Sequence, residues 1–198
     1  MKITTFNIPV LAALLLLFLT PSVSEAQVHF GIRAGLNATN VTFGNLPNKS
    51  ERFGFHVGAF VDVPVVTDFM SVQPEVSYSV KGTAFKPGTI RQTLNMSYVD
   101  LLLPVAFKLS SFDLQVGPYA SFLASTPDYT AYADNKLVVD AFKKYDVGLT
   151  GGLTYNFNKM MIGVRYNQGF VDVTKDISRP YLGSGKNAVA QVSFGYKF

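Results

Sequence analysis

The chain has 198 residues, of which 48% are apolar, 14% aromatic and 15% charged, with no cysteine and a formal net charge of +4. The absence of cysteine excludes a disulfide framework, and position 27, where an export lipoprotein would carry its lipidated cysteine, is Gln27. The basic balance does not indicate nucleic acid, because Lys and Arg are scattered, Lys143-Lys144 is the densest pair, and such binding needs a focused basic face.

The N-terminus has the three parts of a secretory signal: Lys2 as the positive region, an apolar stretch from Ile8 to Leu19, and Ser24-Glu25-Ala26 as a small-x-small cleavage site. Cleavage is expected after Ala26, so residues 1–26 are read as a signal peptide and 27–198 as one mature domain. The apolar stretch is shorter than the roughly 20 residues of a spanning helix. No later segment is an unbroken apolar run of that length.

After the signal, eight stretches place apolar residues on one parity: roughly 28–38, 53–63, 70–82, 96–109, 112–125, 145–157, 160–171 and 188–198. A tilted strand needs about 9–11 residues to cross a bilayer. The connections after the second, fourth and sixth stretches are short (Pro64–Phe69, Ser110-Ser111, Asn158-Lys159), whereas those after the first, third, fifth and seventh are long. Alternating short turns and long loops are the pattern of transmembrane barrels, with short turns and both termini in the periplasm.

The parity of the charges decides which face meets lipid. The apolar set includes Phe53, Phe55, Val57, Ala59 and Val61 in the second stretch, Val99, Leu101, Leu103, Val105 and Phe107 in the fourth, and Ile162, Val164 and Tyr166 in the seventh. Arg33, Asp62, Glu75, Lys81, Asp100, Lys108, Asp113, Asp146, Arg165 and Lys197 all take the opposite parity. A basic residue facing lipid at the midplane costs about 2–4 kcal/mol, so this distribution fits a barrel with lipid outside. A soluble lipocalin-like barrel would reverse it. With five basic and five acidic residues inside, and a bore that side chains fill, the interior is expected to be a closed, internally paired plug. Tyr78, Tyr98, Tyr119, Tyr145, Tyr155, Tyr166 and Tyr196 are candidates for an interfacial aromatic girdle. Pro74, Pro104 and Pro118 remove ladder donors, and local bulges are expected at them.

Candidate chemistry is sparse. His29 and His56 share the inward parity with Asp62 and Ser77, which makes a serine, histidine and acid site conceivable. Histidines that simply hydrogen-bond inside the barrel are the expected reading. Two histidines without cysteine do not make a transition-metal site, and no calcium-loop pattern occurs. The glycines of Gly31-x-x-x-Gly35 and Gly148-x-x-Gly151-Gly152 lie in strands and are not phosphate loops. The Asn-x-Ser/Thr triplets at Asn37, Asn40, Asn48 and Asn95 are read as loop composition. Recognition is expected in the long loops, above all 125–144 with Tyr129, Tyr132 and Phe142.

The last stretch, Val192-Ser193-Phe194-Gly195-Tyr196-Lys197-Phe198, alternates and stops on a terminal aromatic. It resembles the closing strand by which the barrel-assembly machinery recognises its substrates. Phe30-Gly31-Ile32-Arg33-Ala34-Gly35-Leu36-Asn37, Gly54-Phe55-His56-Val57-Gly58-Ala59-Phe60 and Val72-Gln73-Pro74-Glu75-Val76-Ser77-Tyr78-Ser79-Val80-Lys81-Gly82 resemble, in order, the first three strands of the PorT-like outer-membrane β-barrel proteins of Bacteroidetes-type bacteria. Val116-Gly117-Pro118-Tyr119, Tyr145-Asp146-Val147-Gly148-Leu149 and Val164-Arg165-Tyr166-Asn167-Gln168-Gly169 are similar to the fifth, sixth and seventh. The fourth departs, with two extra residues between Asp100 and Pro104.

The expectation is therefore an all-β fold: a single eight-stranded antiparallel transmembrane β-barrel, an up-and-down meander of the OmpA/OmpX type, in the bacterial outer membrane with periplasmic termini and extracellular long loops. No catalytic, cofactor-binding or metal residue is assigned, no cofactor is expected, and the role is structural or surface-interactive. The resemblance implies an accessory part in protein secretion by the type IX system. Expected partners are outer-membrane lipid, the barrel-assembly machinery through Phe198, and a surface or secretion-system protein, with no nucleic acid. The alternatives are an outer-leaflet lipid-modifying hydrolase and a small-solute channel.

Overall fold

The computed structural model describes residues 28–43, 49–50, 52–85, 92–129, 143–172 and 185–198. The expected signal peptide and the tips of the long loops, including Tyr132 and Phe142, lie outside them. The strands are β1 (His29–Phe43), β2 (Lys49–Ser50), β3 (Arg52–Val66), β4 (Met70–Val72), β5 (Glu75–Phe85), β6 (Gln92–Leu102), β7 (Val105–Leu109), β8 (Phe112–Tyr129), β9 (Tyr145–Phe157), β10 (Met160–Gly169) and β11 (Gly185–Lys197).

All pairings are antiparallel and the sheet closes on itself. β4 with β5, and β6 with β7, each form one interrupted wall, so the ring has the eight staves expected: β1, β3, β4/β5, β6/β7, β8, β9, β10 and β11, which pairs back to β1. The short β2 adds to the loop end of β5.

The register fixes the shape. A row of paired residues leaving β3 at Pro64 runs through Ser71, Ala106, Gln115, Gly152, Arg165, Gln191 and Asn37, and returns to β3 at Gly54. That ten-residue stagger, at about 3.3 Å per residue over eight spacings of about 4.8 Å, tilts the staves by about 40°. A bore of that size is filled by side chains.

The prolines behave differently from the expectation. Pro74 and Pro104 interrupt their staves, yet Phe60 faces Glu75 and Val63 faces Val72, with two residues on each side between these pairs. The same equality holds between Leu102 and Val105 opposite Tyr119 and Val116. No bulge forms at Pro74, Pro104 or Pro118. Their carbonyls instead accept from the neighbouring stave, Val61 N–H to Pro74 O at 2.9 Å, Gln73 N–H to Pro104 O at 2.8 Å and Leu103 N–H to Pro118 O at 3.0 Å. Register shifts occur elsewhere, between Pro64 and Val66 and between Asn95 and Tyr98.

The strands also outrun the sequence reading at the loop end. β5 and β6 remain paired out to Phe85 and Gln92, and β1 and β11 out to Phe43 and Gly185. Outside the hydrocarbon the outer face no longer has to be apolar, so alternation stops marking a strand whose backbone ladder continues. The triplet Asn37-Ala38-Thr39 consequently lies in β1, with Asn37 and Thr39 buried, and not in a loop. At the turn end, Asp68, Ser110 and Asn158 take positive φ of 59°, 58° and 56°, a conformation that, glycine aside, asparagine and aspartate tolerate best.

Candidate functional site

Alternation turns the barrel inside out relative to a soluble protein. Phe53, Val76, Leu114, Val164 and Phe194 are exposed on the outer wall, whereas the expected inward charges Arg33, Asp62, Glu75, Lys81, Asp100, Asp113, Asp146 and Arg165 are buried. Lys108 and Lys197 are half-buried at the turn end. Tyr78, Tyr145, Tyr155, Tyr166 and Tyr196 face outward as a girdle would require, but Tyr98 and Tyr119 are buried in the bore. Their parity, shared with Asp100 and with Asp113 and Gln115, was the signal that places them inside.

The interior is layered from the turn end upward. Lowest, Asp62 Oδ2 faces Lys108 Nζ at 3.4 Å and Lys197 Nζ at 3.6 Å, and Lys197 also reaches Asp113 at 3.5 Å. Above lies a crossbar: Arg165 of β10 grips Glu75 of β5 in a bidentate pair at 3.1 and 2.9 Å. These staves stand opposite one another in the ring, four positions apart either way round. Arg33 approaches the same carboxylate at 3.4 Å and lies over the Phe60 ring at 5.2 Å, while Gln115 accepts from Arg165 and donates to Gln73.

The next layer centres on Asn37, whose amide nitrogen donates to Phe55 O, Ser79 Oγ and Val80 O and whose oxygen accepts from His56 Nδ1 at 2.7 Å and Gln191 at 2.9 Å. Since Asn37 Oδ1 can only accept, His56 carries its proton on Nδ1. Near the loop end, Lys81 bridges Asp100 and Ser121, both at 2.8 Å, between the Tyr98 and Tyr119 rings. Asp146 accepts from Tyr119 and Asn187.

The four residues weighed for catalysis are not brought together. His29 pairs with Asp62 near the turn end, and Asp62 engages lysines. His56 is six residues from Asp62 along β3, about 20 Å, and the residue across from it on β5 is Ser79, not Ser77. Among the described residues no group of three or more His, Cys, Asp or Glu side chains has the arrangement of a metal site. What the bore offers chemically is mutual neutralisation, which holds opposite walls together.

Comparisons with known proteins agree with this architecture. No curated protein matches the sequence. Neisserial surface protein A, 10% identical, covers 85% of this chain and 97% of its own at a TM-score of 0.54. The attachment invasion locus protein Ail of Yersinia pestis, 14% identical, covers 87% and 99% at 0.46. At 10% identity the likeness to neisserial surface protein A concerns the fold alone. The sequence itself matches the family described as outer membrane protein beta-barrel domain over residues 22–175. That span is well over half the chain, and the protein belongs to this family of bacterial outer-membrane barrels.

Proposed function

We propose that the protein is a non-enzymatic outer-membrane barrel that presents its long loops to a surface or secretion-system partner. The observation that carries this reading is the Glu75–Arg165 crossbar between opposite staves, stacked between further polar layers. A bore tied across in this way carries no solute stream, so function falls to the outside and the loop end. The distance between His56 and Asp62 weighs against a hydrolase in the bore, and the crossbar against a channel.

On this reading residues 1–26 direct export and are removed after Ala26, the termini and short turns face the periplasm, and Phe198 engages the barrel-assembly machinery. The resemblance to PorT-like proteins supports the finer assignment, an accessory role in type IX secretion. Its test is deletion of the gene with complementation, followed by quantitative mass spectrometry of secreted and surface proteins. Selective loss of exported proteins with their accumulation in the periplasm is expected; an unchanged profile refutes the secretion role. Lipid A unchanged by His56→Ala and a silent planar bilayer are the expected results for the two alternatives.

A further inference from the structure

On the outer wall over β3, β1, β11, β10 and β9 the outward residues of one ladder row run Phe53, Ala38, Ala190, Tyr166 and Gly151. The small members recess the surface, and a groove of about 580 Å³ lies along them. Nothing in the barrel requires glycine at 151: a Cβ there would meet only Gln115 O, at 3.9 Å, in contrast to Gly35 and Gly58, where it would collide with neighbouring strands. The missing side chain therefore serves the outer surface.

Above this groove stand three cations. Lys143 and Lys144 lead into β9, and Lys186 stands at the loop end of β11, four residues above Ala190 on the same face. Lys144 and Lys186 are exposed and Lys143 is half-buried. Lys186 is the one charged residue on the outward parity among the strand residues with described side chains. β9 and β11 are two spacings apart, about 10 Å, and the tilt brings Lys144 and Lys186 to the same height. Between them β10 ends at Gly169.

We propose that this wall binds a phosphorylated glycolipid of the outer leaflet, its phosphates between Lys143, Lys144 and Lys186 and one acyl chain in the groove along Ala38, Ala190 and Gly151. Charge complementarity selects an anionic headgroup, and the apolar recess beneath selects an alkyl chain over a soluble polyanion. The proposal rests on the loop end facing the outer leaflet.

The test uses the folded full-length mature barrel in neutral detergent, titrated with diphosphorylated lipid A and read by native mass spectrometry. One lipid A per barrel is expected, weakened by salt. Each lysine beside an anionic headgroup is worth about fivefold, so Lys143→Gln/Lys144→Gln/Lys186→Gln loses on the order of a hundredfold. Gly151→Leu, whose added Cβ has only Gln115 O nearby, at 3.9 Å, fills the recess and weakens binding at all salt concentrations, whereas Lys159→Gln at the opposite rim leaves it unchanged. Equal binding of the triple variant, or of dephosphorylated lipid A, overturns the headgroup site, and unchanged binding by Gly151→Leu overturns the groove. Heat-dependent gel migration verifies that each variant is folded. Orientation is read separately: the chain has no cysteine, so maleimide labelling of intact cells at Lys144→Cys but not Ser111→Cys establishes the outward loop end, independently of binding in micelles.

Discussion

Glu75 is the residue on which two guanidinium groups converge, Arg165 in a bidentate grip and Arg33 at 3.4 Å. A buried charge that loses its partner is costly, about 3–5 kcal/mol. Glu75→Gln is therefore expected to lower the urea-unfolding free energy in micelles by that order. Lys108→Gln should cost less than about 1 kcal/mol, because Lys108 is half-exposed and Asp62 keeps Lys197. A similar loss at both sites refutes the crossbar as a stability determinant. The charged members of these layers were legible from parity, but their pairing was not. Glu75 and Arg165 are 90 residues apart, and only closure of the ring sets them face to face. Asn37 gave no warning of its role as a hub, since asparagine in an Asn-x-Thr triplet reads as loop composition until β1 places it between β3, β5 and β11.

At the level of the strand, period two divides solvent from plug. Val164 and Arg165 are neighbours on β10, one in lipid and one in the crossbar. Val164→Arg should cost about 2–4 kcal/mol as a charge in the hydrocarbon, measured by the same unfolding titration, and a neutral result contradicts the outward assignment. Gly35 shows the opposite constraint: a side chain there meets Val192 O and the His56 ring at the β1–β11 seam. Gly35→Ala should destabilise the folded barrel and slow closure, visible as a smaller heat-shifted fraction on gels. Strand existence and face were readable from alternation. Strand ends were not, because outside the lipid the outward face no longer has to be apolar. The prolines misled for a related reason: a lost donor predicts a broken ladder, but adjacent interruptions at Gln73-Pro74 and Leu103-Pro104 match in length, so the register survives.

The closed ring, with β11 paired along β1 from Gly31–Lys197 to Phe43–Gly185, has no free edge through the membrane. Such a barrel resists detergent, so unboiled and boiled samples should migrate differently, and identical migration refutes the fold assignment in solution. Phe198 donates its N–H to Phe30 O beside the Tyr196 ring, so deletion of Phe198 should leave the purified barrel stable yet reduce its outer-membrane yield if the terminal aromatic is an assembly signal. Equal yield argues against that role.

What the sequence determined alone is set by local chemistry: period-two alternation that puts Arg33, Glu75, Asp100, Arg165 and Lys197 on one parity and apolar residues on the other admits lipid on one side only, and the Asn158-Lys159 and Ser110-Ser111 turns force antiparallel neighbours. The tertiary structure decided what depends on the ten-residue stagger of the closed ring: which inward side chains share a layer, that Glu75 meets Arg165 across the bore, and that Tyr98 and Tyr119 enclose Lys81. A strand's pattern fixes which way a side chain points. The height at which it meets the opposite wall is a property of shear, and shear exists only once the last strand has found the first.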